Sequence, residues 1–258
     1  MYLTIGDAQI FTVSFGPHSG PAILGIGGWT GPWELWHEPF GQLSQRWRTL
    51  AYDHRGSGAS LAPLESITLE RLAADVFAVL DHFGVQECVL AAESAGAQTA
   101  LRAALAQPGR IRGLVLVDAL YYAPPEAGET GFEQALRANY PATVAGFVEA
   151  CLPEPDSEAL KTWGRQLLLR AAPEAAVRLS QLNRAADLRP ELGRVSQPTL
   201  ILHGSADAIV PVQAAHWLAQ ALPNARLKIF EGAGHVPTIT RGAAVAREIE
   251  AFCAEMLA

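Results

Sequence analysis

Short apolar runs bounded by glycine alternate with amphipathic helical segments along this chain, and that alternation leaves few ways to fold it. A run that is apolar at every position, such as Ala22-Ile23-Leu24-Gly25-Ile26 ahead of Gly27-Gly28, suits a strand buried on both faces. Tyr2–Ile5 and Gln9–Phe15 read as strands, with Gly6-Asp7 supplying the turn between them. Further strands are expected at Arg48–Tyr52, Glu87–Ala92, Gly113–Val117, Thr199–His203 and Arg226–Phe230. Between them lie helical patterns at Leu69–Phe83, Ala95–Ala106, Val212–Leu222 and Ala243–Met256. In the first of these, Leu72, Val76, Leu80 and Phe83 recur at helical spacing, and Gly84 supplies the stop. Strand and helix in alternation imply an α/β fold with a mostly parallel sheet and helices on both faces.

The alternation stops near Ala119 and resumes after Gln197. Phe132–Ala150 and Ala159–Leu182 read as helices, interrupted by prolines, with no strong strand among them. A helical block inserted into a sheet fold reads as a cap subdomain. The expected organisation is a core of residues 1–118 and 198–258 with an inserted helical cap at 119–197. At 258 residues, half of them hydrophobic, the chain can bury a large core as one such unit. The formal charge of −7 and the lack of a basic stripe argue against a nucleic-acid partner. Cys88, Cys151 and Cys253 have no paired spacing, which argues against a disulfide framework or a structural zinc site. No basic segment followed by an apolar one opens the chain, and no apolar run approaches the ~18 residues of a membrane span. The expectation is a cytoplasmic protein without membrane contact, as a monomer or homodimer.

Ala92-Glu93-Ser94-Ala95-Gly96 falls between an expected strand and an expected helix. Small residues two before and two after a serine permit a turn too tight for bulky neighbours. Such a turn lifts the serine oxygen clear of the sheet at the amino end of the next helix, where free N–H groups and the helix dipole favour negative charge. Ser94 is therefore the candidate nucleophile; the alternative is an ordinary helix N-cap. Alanine at position 92 is small enough for the turn but tolerates unusual backbone angles less well than glycine.

A nucleophilic serine needs a general base, and histidine titrates near neutrality. Of seven histidines, His235 lies in the glycine-rich loop Gly232-Ala233-Gly234-His235-Val236-Pro237 after the last expected strand. Loop placement gives it reach. The acid that orients such a base is sought at a strand end. Asp207 follows the strand Thr199–His203, and the order Ser94, Asp207, His235 is that of a serine triad on a parallel α/β sheet. Asp118, ending the strand Leu114-Val115-Leu116-Val117, is the alternative acid.

With these residues assembled, the chain resembles the α/β-hydrolase superfamily, especially small capped bacterial esterases, enol-lactonases and C–C bond hydrolases. The resemblance rests on Gly27-Gly28-Trp29, Asp53-His54-Arg55-Gly56-Ser57-Gly58-Ala59-Ser60, Ala92-Glu93-Ser94-Ala95-Gly96, and the pair Leu202-His203-Gly204-Ser205-Ala206-Asp207 with Gly232-Ala233-Gly234-His235. It covers nearly the whole length outside the cap. It implies the α/β-hydrolase fold, with a mostly parallel eight-stranded sheet, and an oxyanion hole built from the backbone N–H groups of Trp29 and Ala95. Many relatives carry histidine-glycine where this chain has Gly27-Gly28, so the bracing of that loop is an open point.

The implied chemistry is hydrolysis of a small carboxylic ester or lactone through an acyl-enzyme on Ser94, without metal or organic cofactor. The same triad could instead cleave a C–C bond or transfer an acyl group, and some proteins of this fold act as ligand receptors. Gly28, Trp33, Trp36, Tyr121 and Trp163 are expected to line an apolar substrate pocket. The competing reading of each aromatic residue is core packing. Arg55 is expected to brace its own loop, and Arg184 lies in a segment that could approach the site.

Overall fold

A computed structural model describes residues 1–124 and 126–257. Its sheet is built from β1 (Tyr2–Ile5), β2 (Ala8–Phe15), β3 (Ala22–Ile26), β4 (Arg48–Tyr52), β5 (Cys88–Glu93), β6 (Ile111–Val117), β7 (Thr199–Gly204) and β8 (Ala225–Phe230). The strand order is β1-β2-β4-β3-β5-β6-β7-β8. β2 runs antiparallel to β1 and β4, and every other pair is parallel. The central strands β3, β4, β5 and β7 are buried at every residue, as continuous apolar runs require. At the β8 edge the pattern alternates exposed and half-buried residues.

Helices cover both faces. α2 (Leu69–His82), α3 (Gly96–Ala106) and α8 (Val212–Ala221) pack their apolar stripes on one side with Leu24, Leu90, Leu114 and Ile201. α1 (His37–Leu43) and α10 (Gly242–Leu257) cover the other side with Ile23, Val89, Val115 and Leu202. Side chains alternate between the two cores along each strand. A one-turn helix, α9 (Pro237–Thr240), lies just beyond His235.

Between β6 and β7 the chain leaves the sheet and forms α4 (Gly131–Ala138), α5 (Tyr140–Cys151), α6 (Glu158–Leu168) and α7 (Pro173–Ala185). Each of the two long helices expected here is broken in two. Asn139, extended at φ −155° and ψ 81°, ends α4, and its side chain accepts from the N–H of Ala142 to cap α5, with Pro141 in the first turn. Pro173 likewise opens α7 and separates it from α6. These helices share a third apolar cluster, which contains Leu136, Val144, Val148 and Leu168 and takes in Trp29 from the sheet side. No helix among the described residues is long and apolar enough to cross a membrane.

Candidate active site

The carboxyl ends of β3, β5, β6, β7 and β8 point to the same edge of the sheet, so loops far apart in sequence meet there. Ser94 follows the last residue of β5. Its N–H bonds the carbonyl of Val117 at 2.8 Å, which ties the turn to the end of β6. Ser94 adopts φ +50°, a left-handed conformation that a side chain adopts only under constraint. The constraint is visible at Gly96, where an added Cβ would lie 2.5 Å from the carbonyl oxygen of Gly27. Position 92 is a regular strand residue, which is why alanine serves there as well as glycine.

His235 reaches the serine from the loop after β8. Its Nε2 lies 2.9 Å from Ser94 Oγ, and its Nδ1 lies 2.7 Å from Asp207 Oδ2. A carboxylate oxygen accepts, so Nδ1 carries the proton and Nε2 is left to accept from the serine hydroxyl. The second Asp207 oxygen, Oδ1, accepts from the N–H groups of Ile209 at 2.7 Å and Val210 at 3.0 Å. All three side chains are nearly or fully shielded from solvent. Asp118 is buried at the end of β6 and accepts from the N–H of Gly204 at 2.9 Å. His235 thus turns to Asp207, and the alternative acid binds the backbone of β7.

Trp29 follows the Gly27-Gly28 pair and Ala95 follows Ser94. Neither N–H donates to a partner among the described residues. Gly27 is required in this loop, because a Cβ there would come within 2.0 Å of the Gly31 carbonyl oxygen. The missing histidine brace is supplied from elsewhere: His54 Nε2 lies 2.8 Å from the carbonyl oxygen of Gly28. Asp53 holds the same region, accepting from the N–H groups of Trp33 at 2.8 Å and Ala59 at 2.7 Å. In the sequence, His54 is signalled only by the loop motif that contains it.

A cavity of about 70 Å³ opens beside Ser94 and His235. Gly28, Trp29 and Leu35 form one wall; Phe147, Val148, Leu152, Leu160, Trp163 and Leu167 from α5, α6 and the segment between them form the other. Gly28 and Trp163 are therefore at the pocket as expected. Trp33, Trp36 and Tyr121 are not. Trp36 is fully buried in the core, where it stacks on Phe40 and donates its indole N–H to the carbonyl of Ile26. Trp33 packs near Phe15. Tyr121 stacks on Trp217 and donates its hydroxyl to the carbonyl of Ala214. Arg184 pairs with Glu133 inside the helical insert, away from the cavity, and Arg55 is buried against Asp75 and Asp7 as a loop brace.

Glu93, one residue before the nucleophile, was not anticipated as a pocket residue. It is buried, and burial pushes its carboxyl up to about 8. One oxygen accepts from Thr238 Oγ1 at 3.2 Å, and the other, Oε2, has no partner. Neither Lys nor Arg lines the cavity among the described residues.

The insert grips the loops that carry Trp29 and His235. The indole N–H of Trp29 donates to the carbonyl of Ala176 in α7 at 2.8 Å, and its ring packs on Phe132 and Phe147. The backbone N–H of His235 donates to the carbonyl of Cys151 at the end of α5 at 2.9 Å. Gly234 N–H donates to Glu154 Oε1 at 2.8 Å.

Residues 42–239 match the family described as serine aminopeptidase S33. The chain belongs to this family of α/β hydrolases. A pimeloyl-acyl-carrier-protein methyl ester esterase of Nitrosomonas europaea is 31% identical over 235 residues, covering 86% of this chain and 91% of the relative. A 3-oxoadipate enol-lactonase of Acinetobacter baylyi is 24% identical and covers 96% of this chain and 94% of the relative. Among solved structures, an esterase from Exiguobacterium antarcticum superposes with a TM-score of 0.90 at 22% identity, covering 97% of this chain and 98% of that one. This α/β hydrolase thus has the fold expected from its sequence, and the expectation of a carboxylic ester hydrolase agrees with its family.

Proposed function

We propose that this hydrolase cleaves an uncharged, apolar carboxylic ester or lactone through an acyl-enzyme on Ser94. The observation that carries the reading is the continuous hydrogen-bonded line Ser94 Oγ, His235 Nε2, His235 Nδ1, Asp207 Oδ2 at the mouth of an apolar cavity. His235 takes the Ser94 proton as the serine oxygen attacks the carbonyl carbon. The N–H groups of Trp29 and Ala95 receive the oxyanion, each such donor contributing roughly 3 kcal/mol to the transition state. The carbonyl re-forms as the C–O bond to the leaving alcohol breaks, and His235 returns the proton to that oxygen. Water, deprotonated by the same histidine, then releases the acid and restores Ser94.

Residues 119–197 act in this reading as a cap whose α5 and α6 shape the acyl pocket. The walls carry no cation to pair with a substrate carboxylate. A neutral apolar acyl group fits this lining. The test is hydrolysis of p-nitrophenyl esters from acetate to octanoate, with a few lactones, by the wild type and Ser94→Ala. The wild type is expected to turn over neutral esters, and the variant to lose about 10⁶-fold in kcat. Equal activity in both proteins would remove Ser94 from its role. No activity in either would favour a ligand-binding role for the site.

A further inference from the structure

Behind the serine, histidine and aspartate lies a second buried pair that the proposed cycle does not use. Asp118 ends β6 and His203 lies in β7, the neighbouring parallel strand; both are fully buried. Asp118 Oδ1 is 3.4 Å from His203 Nδ1. Asp118 Oδ2 and His203 Nδ1 have no hydrogen-bond partner among the described residues. On the other side of the ring, His203 Nε2 lies 2.9 Å from the carbonyl oxygen of Val210 and 3.5 Å from Asp207 Oδ2, the oxygen that faces His235.

The atoms fix where protons must be. A carbonyl oxygen only accepts, so His203 Nε2 carries a proton and donates it to Val210. In a neutral ring Nδ1 is then bare and faces Asp118. If Asp118 were ionised beside it, two fully buried acceptors would confront each other, an arrangement that costs free energy on both. One further proton resolves the clash, held between the Asp118 carboxyl and His203 Nδ1. The surroundings place it on the carboxyl: burial, and then the nearby Asp207, raise Asp118 well above the usual carboxylate range, while burial lowers His203. Asp118 also adopts φ +46°, a left-handed backbone that a non-glycine residue keeps only where its surroundings hold it.

We propose that Asp118 and His203 form a positioning pair that shares one proton and, through the Nε2–H of His203, holds the Asp207 carboxylate and its turn in the orientation that His235 requires. The hold is double. His203 Nε2–H lies 3.5 Å from Asp207 Oδ2, a dipolar contact, and donates its hydrogen bond to the carbonyl of Val210, whose own N–H donates to Asp207 Oδ1. Neither residue touches the substrate or the reacting atoms. This inference rests on Asp207 orienting His235, a reading that Ser94→Ala on the ester panel and Asp207→Asn test separately.

The experiment compares conservative with truncating variants on p-nitrophenyl butyrate. Asp118→Asn keeps a donor toward His203 Nδ1 without a titratable proton, and His203→Gln keeps an N–H toward Val210. Both are expected to stay within about threefold of wild-type kcat, whereas Asp118→Ala and His203→Leu lose about tenfold or more, with KM within about twofold. The downfield proton NMR resonance of the His235–Asp207 hydrogen bond is expected to persist in the conservative pair and to broaden or move upfield in the truncations. Unchanged kcat and resonance in a folded His203→Leu protein would overturn the proposal. So would a loss in Asp118→Asn as large as that in Asp118→Ala. Should the truncations not fold, the amide variants decide alone: activity within threefold supports the pair, and a tenfold loss in Asp118→Asn overturns it.

Discussion

The sheet edge and the helical insert contribute to one site by different physical means. At the sheet edge, each key atom is fixed by short polar contacts: Ser94 by the Val117 carbonyl, Asp207 by two N–H groups, His235 by Asp207. The insert presents mainly apolar side chains to the cavity, which are non-directional and tolerant of small displacements. Three of its polar contacts go to the loops that carry Trp29 and His235. Chemistry is thus placed where geometry is rigid, and selection where a wall can be reshaped by changing side chains.

That division can be broken at its strongest point first. Asp207→Asn leaves the site's shape intact but lets His235 adopt the wrong tautomer, and kcat is expected to fall about 10⁴-fold. A loss near tenfold in steady-state kinetics would show that Asp118 takes over. The seam between the regions is next. Trp29→Phe keeps the ring packing but removes the hydrogen bond to the Ala176 carbonyl, worth about 0.5–1.5 kcal/mol. Thermal unfolding should register that loss, and kcat should fall several-fold if the Trp29 N–H is an oxyanion donor. An unchanged kcat would separate the insert from catalysis.

On the insert side, Trp163→Ala is expected to move the acyl-chain optimum toward longer esters. The shift should be about tenfold in kcat/KM between octanoate and acetate, with kcat on the preferred ester preserved. The smallest effect concerns Glu93. Its carboxyl is raised to about 8 by burial, from 4.5 when unfolded, so the folded protein binds the extra proton between these values and loses stability as pH rises through that range. Glu93→Gln removes the titration. Its melting temperature should lie close to the wild type at pH 5 and exceed it by roughly 10 °C at pH 9.

The sheet was legible in the sequence because buried parallel strands announce themselves as short, mostly apolar runs, as in Ala22–Ile26 and Thr199–Gly204. The hydrogen-bonded set Ser94, His235 and Asp207 was legible because the tight turn at Ser94 demands small neighbours and the glycine-rich loop frees His235. Two things were hidden. The helical breaks at Asn139 and Pro173 interrupt apolar patterns that continue through them, so periodicity alone ran the helices together. The aromatic residues gave no sign of which way they face. Trp36 sits close in sequence to pocket-lining residues Gly31 and Leu35, yet a single helical turn directs it into the core. The pairing of Asp118 with His203 became visible only once β6 and β7 were known to be neighbours.

Two of the insert's three ties to the loops of Trp29 and His235 end on the carbonyls of Ala176 and Cys151, which belong to the main chain; the third ends on the Glu154 side chain. A main-chain acceptor survives nearly any substitution at its own position. The helical segment can therefore drift widely in side chains, and its substrate range with them, without releasing Trp29 or His235. A change of length is different. One residue added to α5 or α7 turns everything beyond it by about 100° and swings the anchoring carbonyl away. For anyone remodelling this enzyme, substitution is the permissive route to new substrates, and insertion or deletion is the forbidden one.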